Sequence, residues 1–339
     1  MKGKIAFITG ITGQDGYYLS SLLLSKGYEV HGLVRSVSTS NMERLNHIHT
    51  SDRDRLHLHV GDILDSHMVR ESISKIGPDE VYHLAAQSHV HASFDNPMYA
   101  IQVITMGALN VLEAVKKCGK GNIRFYNAST SEMFGKVQEI PQTESTPFYP
   151  RSPYGIGKLA AHWLTINYRE AYGMFACNGI LFNHESPMRG VNFVTRKITR
   201  ALARNEKIVL GNLDAVRDWG HAADYVYGMW LMLQADKPDD YILATGVSHS
   251  VREFLEEALK ASKIPYGGCG NIYSNNNTGS IVAEVDDKFK RPAEVDILIG
   301  DASKAKEKLG WVAHTTFEKL VQDMVDHDFN LVIGGGNEF

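Results

Sequence analysis

IAFITGITGQDG, at residues 5–16, is the stretch of sequence that decides the fold. An apolar run ends at Gly10, and glycines recur at Gly13 and Gly16 before a helical pattern begins. In a strand–turn–helix unit, the first glycine permits a tight turn, the second lets a pyrophosphate approach the backbone, and the third lets helix and strand pack closely. The stretch therefore predicts a dinucleotide site at the start of a helix. Its predicted residues are Gly10, Thr12, Gly13, Gln14, Asp15 and Gly16.

Apolar strands alternate with helical patterns through the first half of the chain. After the run at 5–9, strands are predicted at residues 28–34, 56–60, 80–85, 123–128 and 174–182. Helices are predicted between them, among others at 66–76, 97–119 and 153–172. Six apolar strands with helical crossovers predict an α/β fold, a Rossmann-type doubly wound parallel sheet.

The second half of the chain predicts a smaller mixed α/β C-terminal lobe. Helices are expected at 193–204 and 222–233, a strand at 241–244, and a capping box of Ser250 and Glu253 opening a further helix. Asp301 and Thr316 are interpreted as caps of two late helices, and 267–280, rich in Gly, Asn and Ser, as a loop. We expect residues 1–185 to form the dinucleotide-binding domain, with segments near 220–250 returning to it. Residues 186–339 are expected to form mainly a substrate-binding lobe.

Composition excludes several classes of partner. The 339 residues carry a formal net charge of −4, so the chain lacks the excess of basic residues that favours binding to nucleic acid or to an anionic membrane. The chain starts almost directly with a strand, so no signal peptide is expected, and we find no apolar run of the ~20 residues that a membrane span needs. Three widely spaced cysteines predict reduced thiols and a cytoplasmic protein. The paired histidines His57/His59 and His89/His91 lack an evident third ligand, so no metal is assigned.

The ends of the predicted strands indicate which dinucleotide is bound. The second strand ends at Arg35 with no acidic residue, which favours the 2′-phosphate of NADP over the 2′-hydroxyl of NAD. Asp62 follows the third strand and could accept a hydrogen bond from the adenine amino group. Small residues at 84–88 follow the fourth strand and leave room for a ligand. The predicted cofactor residues from these strand ends are Arg35, Asp62, Ile63, Leu84, Ala85, Ala86, Gln87 and Ser88.

A tyrosine and a lysine lie one helical turn apart at the start of the helix predicted at 153–172. The i, i+4 spacing puts Tyr154 and Lys158 on one face. An ammonium group near a phenol favours the phenolate, so Lys158 is expected to lower the pKa of Tyr154. The pair could then remove a proton from a hydroxyl beside a nicotinamide ring. Ser129 and Thr130, after the fifth strand, could hydrogen-bond the same substrate oxygen.

Together these motifs resemble the extended short-chain dehydrogenase/reductase family. The resemblance rests on TGITGQDG at 9–16, HLAA at 83–86, Ser129/Thr130 and Tyr154/Lys158. Within this family the sequence most resembles the GDP-mannose 4,6-dehydratases. The stretches that carry this resemblance are ASTSE at 128–132, PRSPY at 150–154, LFNHESP at 181–187, FVTRKI at 193–198 and RDWGHA at 217–222. The resemblance covers nearly the whole chain.

The resemblance implies an internal oxidation and reduction of GDP-mannose with bound NADP. Tyr154 would take the O4 proton as the sugar is oxidised at C4, and Glu132 would remove the C5 proton so that water leaves from C6. Thr130 would hydrogen-bond O4, and Lys158 would bind the nicotinamide ribose. The product would be GDP-4-keto-6-deoxymannose, on the route to GDP-fucose or GDP-rhamnose. The residues that the resemblance adds for the substrate are Ser88, Thr130, Glu132, Asn183, Lys197, Arg217 and Arg291, and for the cofactor Tyr99, His184 and Arg189.

Three departures from the family pattern bear on assembly and stability. The family usually has two arginines where this chain has Arg35-Ser36, and again where it has Met188-Arg189, so both a homodimer and a homotetramer stay open. Gly155 and Gly157 replace the usual alanines, at up to ~1 kcal/mol of helix stability each, which predicts a softer active-site helix.

Two other functions stay open at this stage. The first is an NADPH-dependent reductase of a 4-keto-6-deoxy sugar nucleotide, or an epimerase, of the same fold; Glu132 discriminates, because neither needs an acid/base at that position. The second is a non-catalytic NADP-binding sensor, which the presence of Thr130, Glu132, Tyr154 and Lys158 disfavours.

Overall fold

Strands and helices alternate from the glycine stretch onward. The structure, a computed structural model, describes residues 3–35, 42–119, 123–286, 288, 293, 295 and 297–334. The first strands are β1 (Ile5–Thr9), β2 (Glu29–Val34), β3 (Leu56–Val60), β4 (Glu80–His83), β5 (Arg124–Thr130) and β6 (Ala176–Leu181). The helices among them are α1 (Gln14–Ser25), α2 (Ser66–Ile76), α3 (Val90–Asp95), α4 (Pro97–Ile101), α5 (Gly107–Gly119) and α6 (Pro153–Tyr172). Short 3₁₀ turns lie at Met42–His47, Thr50–Arg55 and Ser131–Met133.

The rest of the chain mixes short strands with helices. The strands are β7 (Asn183–Glu185), β8 (Ile208–Leu210), β9 (Val216–His221), β10 (Asp240–Leu243), β11 (Ser248–Ser250), β12 (Tyr266–Cys269), β13 (Ile272–Asn275), β14 (Ile281–Val285) and β15 (Ile297–Leu298). The helices are α7 (Val194–Ala203), α8 (Ala222–Gln234), α9 (Val251–Ala261), α10 (Ser303–Leu309) and α11 (Phe317–Ile333).

The central sheet has seven parallel strands in the order β10-β6-β5-β4-β1-β2-β3. This confirms the predicted doubly wound α/β fold. The seventh strand, β10, pairs with β6, and α8 packs on α1. The strand order reverses between β1 and β4, and ligands of such sheets bind outside the carboxyl ends of the strands at that switch point. The fold therefore places the site beside the glycine turn.

A second lobe packs around its own core. In it β7 and β11 flank β9 together with β15, while β12, β13, β14 and β8 form a separate four-stranded sheet. Buried side chains of α7, α9 and α11, among them Ile198, Phe254 and Met324, join these sheets. This lobe closes over the carboxyl end of the central sheet.

The loop expected at residues 267–280 is wrong. Residues in this range pair antiparallel as β12 and β13, with Tyr266 opposite Asn275 and Cys269 opposite Ile272. Gly270 makes the turn with a positive φ of 66°, and the Tyr273 side chain is 3% exposed. Ladder hydrogen bonds and the burial of one tyrosine outweigh the low strand propensity of Gly and Asn.

Helix ends follow the predicted caps with one change. Ser250 and Glu253 form the expected capping box of α9, and the Thr316 side chain accepts a hydrogen bond from the Lys319 N–H at the start of α11. Asp301 is not the N-cap of α10; Ala302 holds that position, and the Asp301 carboxylate accepts from the Ser303 N–H at 2.8 Å.

The helix expected at 97–119 is interrupted and apolar. Residues Gln102–Met106 form a π-helical turn between α4 and α5. The 23 residues Pro97–Gly119 are long and apolar enough to cross a bilayer, so the expectation that no such stretch exists is wrong. Half of its apolar window is buried inside the protein, where α5 packs between α2 and α6. A helix buried in a protein core can be as long and as apolar as a membrane span.

Candidate active site

The glycine turn has the geometry that its sequence predicts. Gly10 adopts a positive φ of 77°, and a Cβ there would lie 2.8 Å from the Ala85 nitrogen. A Cβ on Gly16 would lie 2.4 Å from the Ile11 carbonyl oxygen. Gly13 is the N-cap of α1 and makes no side-chain cap, so the first N–H groups of the helix point towards the sheet edge. The turn is a ready anion-binding cradle.

A cavity of about 1050 Å³ opens beside this turn, between the carboxyl edge of the central sheet and the second lobe. It exceeds the volume of ~300–1,000 Å³ that holds one drug-sized ligand. Every predicted site residue within the described part of the chain lines it; Arg291 lies outside the described residues. The lining residues that were predicted are Gly10, Thr12, Gly13, Gln14, Asp15, Gly16, Arg35, Asp62, Ile63, Leu84, Ala85, Ala86, Gln87, Ser88, Tyr99, Thr130, Glu132, Tyr154, Lys158, Asn183, His184, Arg189, Lys197 and Arg217.

One end of the cavity has a guanidinium group and a carboxylate. Arg35 Nη1 donates to the Tyr99 hydroxyl at 2.6 Å, which joins two residues predicted for the cofactor from distant parts of the sequence. The Asp62 carboxylate accepts from the Leu64 N–H at 2.9 Å, so it also caps its own turn. This end thus offers one hydrogen-bond donor group and one acceptor group to a ligand.

A buried ion pair joins the glycine helix to β7. His184 Nε2 lies 2.9 Å from an Asp15 carboxylate oxygen, and its Nδ1 lies 2.8 Å from the Phe182 carbonyl oxygen. Burial opposes the charged imidazole, but the Asp15 carboxylate outweighs it and raises the pKa of His184. Gln14 also donates to the His184 carbonyl oxygen at 3.0 Å. These contacts hold the second lobe against the phosphate-binding turn.

Four predicted catalytic side chains meet where β5 ends and α6 begins. Thr130, the last residue of β5, caps the next turn through a 3.3 Å hydrogen bond from the Glu132 N–H. Tyr154 lies in the first turn of α6, fixed by Ser152 as N-cap and by a 3.2 Å hydrogen bond from its own N–H to the Ser93 hydroxyl. All four are at most 8% exposed. A phenol, a hydroxyl, a carboxylate and an ammonium group therefore face one buried space.

The expectation that Lys158 lowers the pKa of Tyr154 is not met in this structure. Burial raises the pKa of Tyr154 to about 12; the Thr130 hydroxyl acts in the opposite direction and the Glu132 carboxylate adds to the rise. Lys158 donates to the Ala128 carbonyl oxygen at 2.7 Å, and its ammonium nitrogen lies 5.9 Å from the centre of the Tyr154 ring. Burial lowers the pKa of Lys158 to about 8. Desolvation thus dominates both groups.

Cations gather at the end of the cavity formed by the second lobe. Lys197 Nζ donates to the Val209 carbonyl oxygen at 2.6 Å, and Arg217 Nη1 donates to the Val216 carbonyl oxygen at 2.9 Å. Burial, and then the charge of Lys288, lower the pKa of Lys197. The two lysines and the arginine form a positive region suited to a diphosphate.

Sequence reasoning missed several lining residues. Lys288 and Arg44 line the cavity, and neither lies in a motif. Arg44 is 8% exposed and donates to the carbonyl oxygens of Met188 and Thr12, at 2.8 and 3.1 Å. Phe193 starts a predicted helix and the FVTRKI stretch but was given no role in the site, yet the centre of its ring lies 3.7 Å from the Arg189 guanidinium and the ring contacts His89. The sequence signal that could have marked these three residues as part of the site was their basic or aromatic character.

Known proteins resemble this chain along nearly all of its length. The family described as GDP-mannose 4,6 dehydratase matches residues 7–324. A GDP-mannose 4,6 dehydratase of Drosophila melanogaster is 52% identical, over 98% of this chain and 87% of that protein. GDP-mannose 4,6 dehydratase 1 of Arabidopsis thaliana is 54% identical, over 97% and 90%. A crystal structure of UDP-glucose 4-epimerase from Bifidobacterium longum, in complex with NAD+ and UDP, has the same fold, with a TM-score of 0.83 at 21% identity over 98% of this chain and 100% of that one.

Proposed function

The chain belongs to the GDP-mannose 4,6-dehydratase family, and we propose that it converts GDP-mannose to GDP-4-keto-6-deoxymannose and water. The observation that carries the proposal is Glu132, a nearly buried residue whose N–H donates to the Thr130 hydroxyl and whose carboxylate is close enough to Tyr154 to raise the pKa of that phenol. A reductase or epimerase needs the tyrosine but has no use for a second acid/base.

The cavity fits a nicotinamide dinucleotide, and we propose NADP. The turn at Gly10, Gly13 and Gly16 packs too closely for side chains, since a Cβ at each position would lie within 3.2 Å of a backbone atom, and the turn faces a helix N-terminus. Arg35, tied to Tyr99, would hold the 2′-phosphate, and no acidic residue ends β2 to hold a ribose hydroxyl instead. A dinucleotide held there would supply the redox chemistry, as the acceptor of a hydride from the sugar and then as its donor.

The residues of the chain would handle the protons. Tyr154 removes the O4 proton as C4 becomes a ketone, and the Thr130 hydroxyl steadies the oxygen. Glu132 then removes the C5 proton, which the ketone acidifies, and delivers a proton to the C6 hydroxyl as it leaves as water. Loss of water leaves a double bond between C5 and C6, and the 6-deoxy sugar would be complete once the returned hydride is on C6 and a proton is on C5. Lys158, held against the Ala128 carbonyl group, orients the ribose beside this site.

The guanosine diphosphate would lie towards the second lobe. The cationic groups there belong to Lys197, Lys288 and Arg217. Asn183, the first residue of β7, also lines the cavity, just after the chain leaves β6. This position leaves the hexose between the diphosphate and the catalytic side chains, which is the order that the substrate requires.

Incubation of the purified protein with GDP-mannose and no added cofactor tests the proposal. Mass spectrometry should show loss of one water from the sugar nucleotide, with no net formation of NADPH, because the cofactor ends as it began. Release of NADP rather than NAD on denaturation tests the cofactor. An unchanged sugar, together with consumption of added NADPH on a 4-keto-6-deoxy sugar nucleotide, would favour the reductase instead.

We also propose that the protein forms a homodimer through α4 and α6, with a homotetramer as the second possibility. Large apolar side chains stand exposed on these neighbouring helices and the π-helical turn, including Met98, Met106, Ile156 and Trp163, at 80%, 44%, 50% and 56%. Exposed apolar side chains grouped on neighbouring elements favour an interaction surface there. Light scattering after size exclusion should give twice the chain mass, and Trp163→Lys should give the monomer mass, with Trp230→Phe as control.

A further inference from the structure

Four polar side chains gather on one face of β2 and β3, away from the active-site cavity. The parallel register places His31 opposite His57 and Leu33 opposite His59, so the three histidines share a face with Glu29. The two strands form an outer edge of the central sheet, where β3 is the last strand. Of this cluster the sequence suggested only the pair His57/His59, because Glu29 and His31 come from a neighbouring strand.

The distances among these groups match those around a tetrahedral metal ion. Glu29 Oε1 lies 3.3 Å from His31 Nε2 and 3.2 Å from His57 Nε2. With metal–ligand bonds of 2.0–2.1 Å, two ligand atoms of a tetrahedral zinc site lie about 3.3–3.4 Å apart. One ligand atom from each of the three residues lies within 4.8 Å of the other two.

His59 supplies the support that a metal-binding histidine needs. Its Nε2 lies 2.9 Å from His31 Nδ1, the ring nitrogen that does not face Glu29. A ligand histidine usually donates its second N–H to such an acceptor, which fixes the tautomer and the ring orientation. The His31 and His59 rings are nearly parallel, at 15°, with their centres 5.2 Å apart, as an edge-to-edge hydrogen bond requires.

We propose that Glu29, His31 and His57 bind a divalent transition-metal ion, zinc by their chemistry, with His59 as the positioning residue. Two imidazoles and one carboxylate suit zinc and its neighbours, whereas Mg²⁺ prefers oxygen ligands alone. Glu29 and His57 are each 40% exposed, which gives an entry path and leaves a fourth position to water. The ion would join β3 to β2, and so stabilise the strand that ends the sheet in the described part of the chain.

A competition titration of the chelator-treated full-length protein tests the site. Zn²⁺ is added in the presence of a chromophoric chelator, with Mg²⁺ as the negative probe. We expect one more tight equivalent per chain in the wild type than in His57→Ala or Glu29→Gln, and at least tenfold weaker binding in His59→Ala. His67→Ala, which removes an exposed histidine of α2, is the matched control and should bind as the wild type does.

Two further measurements separate a site from an effect on folding. Zn²⁺ should raise the Tm of the wild type and leave that of His57→Ala unchanged, and Co²⁺ should give the visible spectrum of a tetrahedral ion only in the wild type and His67→Ala. If His31→Ala does not fold, the half-exposed Glu29 and His57 still decide the question. Equal stoichiometry and affinity in the wild type and His57→Ala would overturn the proposal.

Discussion

At the scale of single residues, the carboxylate of Glu132 separates elimination of water from simple redox chemistry. Glu132→Gln keeps the side-chain shape but removes the base, so we expect water loss from GDP-mannose to fall by a factor of ~10²–10⁴. Mass spectrometry of the sugar nucleotide measures the loss, and calorimetric GDP-mannose binding should be unchanged. Glu170→Gln, on the exposed face of α6, serves as the control and should keep full activity. Full dehydration by Glu132→Gln would show that another group removes the C5 proton.

The hydroxyl of Thr130 influences the pKa of Tyr154. Its hydrogen bond opposes the rise that burial causes. Thr130→Val should therefore raise that pKa further, and since the phenolate is the active form, the rise of kcat with pH should move to higher pH. At neutral pH we expect at least a tenfold loss. Thr130→Ser keeps the hydroxyl and should restore the profile; a Thr130→Val profile superimposable on that of the wild type would refute this role.

At the scale of elements, the two glycines of α6 differ in what surrounds them. A Cβ on Gly155 would lie 2.8 Å from the Glu132 carbonyl oxygen, whereas a Cβ on Gly157 would meet only the Ile104 side chain, at 3.3 Å. Gly155 thus lets the helix approach the turn that holds Glu132. Gly155 lowers the helix propensity of α6, but it also permits this close packing, which the sequence did not reveal.

Alanine substitutions test this difference. Both changes favour the helix by up to ~1 kcal/mol. We expect Gly155→Ala to lower kcat severalfold, because the Glu132 turn must shift, and Gly157→Ala to keep most of the activity. Steady-state kinetics and thermal unfolding of both variants are compared. An equal kcat in the two would mean that the close approach at Gly155 does not position Glu132.

Elements with local signals were predictable, and those that depend on distant partners were not. The bounds of β3, α2 and α6 follow from apolar periodicity together with caps such as Gly77 and Ser152. The hairpin of β12 and β13 was missed because its stability comes from pairing and from burial of Tyr273. The cavity and the outer edge of the sheet show the same limit. Motif residues of the cavity could be predicted, but Lys288 reaches it only through tertiary packing. At the sheet edge, tertiary packing likewise brings Glu29 together with the three histidines.

At the scale of the whole molecule, two buried neutral histidines couple folding to pH. His83 lies 2.8 Å from the Thr9 hydroxyl, and His162 lies 3.1 Å from the Ser129 hydroxyl, both beneath the active site. Burial lowers their pKa values, to about 3 for His83 and about 4 for His162. Both residues take up protons far more readily once the chain is unfolded, so acid draws the equilibrium towards the unfolded state.

Acid destabilisation should therefore begin well above the range in which carboxylates titrate. A base whose pKa is depressed by folding contributes its full stability above the unfolded value of 6.5, and that contribution falls as the pH drops towards the folded value. Each histidine can remove up to about 1.4 kcal/mol of unfolding free energy per pH unit in that window. Urea unfolding across this window measures the slope, and His162→Gln, which keeps a polar side chain but cannot titrate, should flatten it by up to half. If His162→Gln has the slope of the wild type, protonation of His162 does not drive the acid transition, and His83 or carboxylate pairs such as Arg169–Asp240 must account for it.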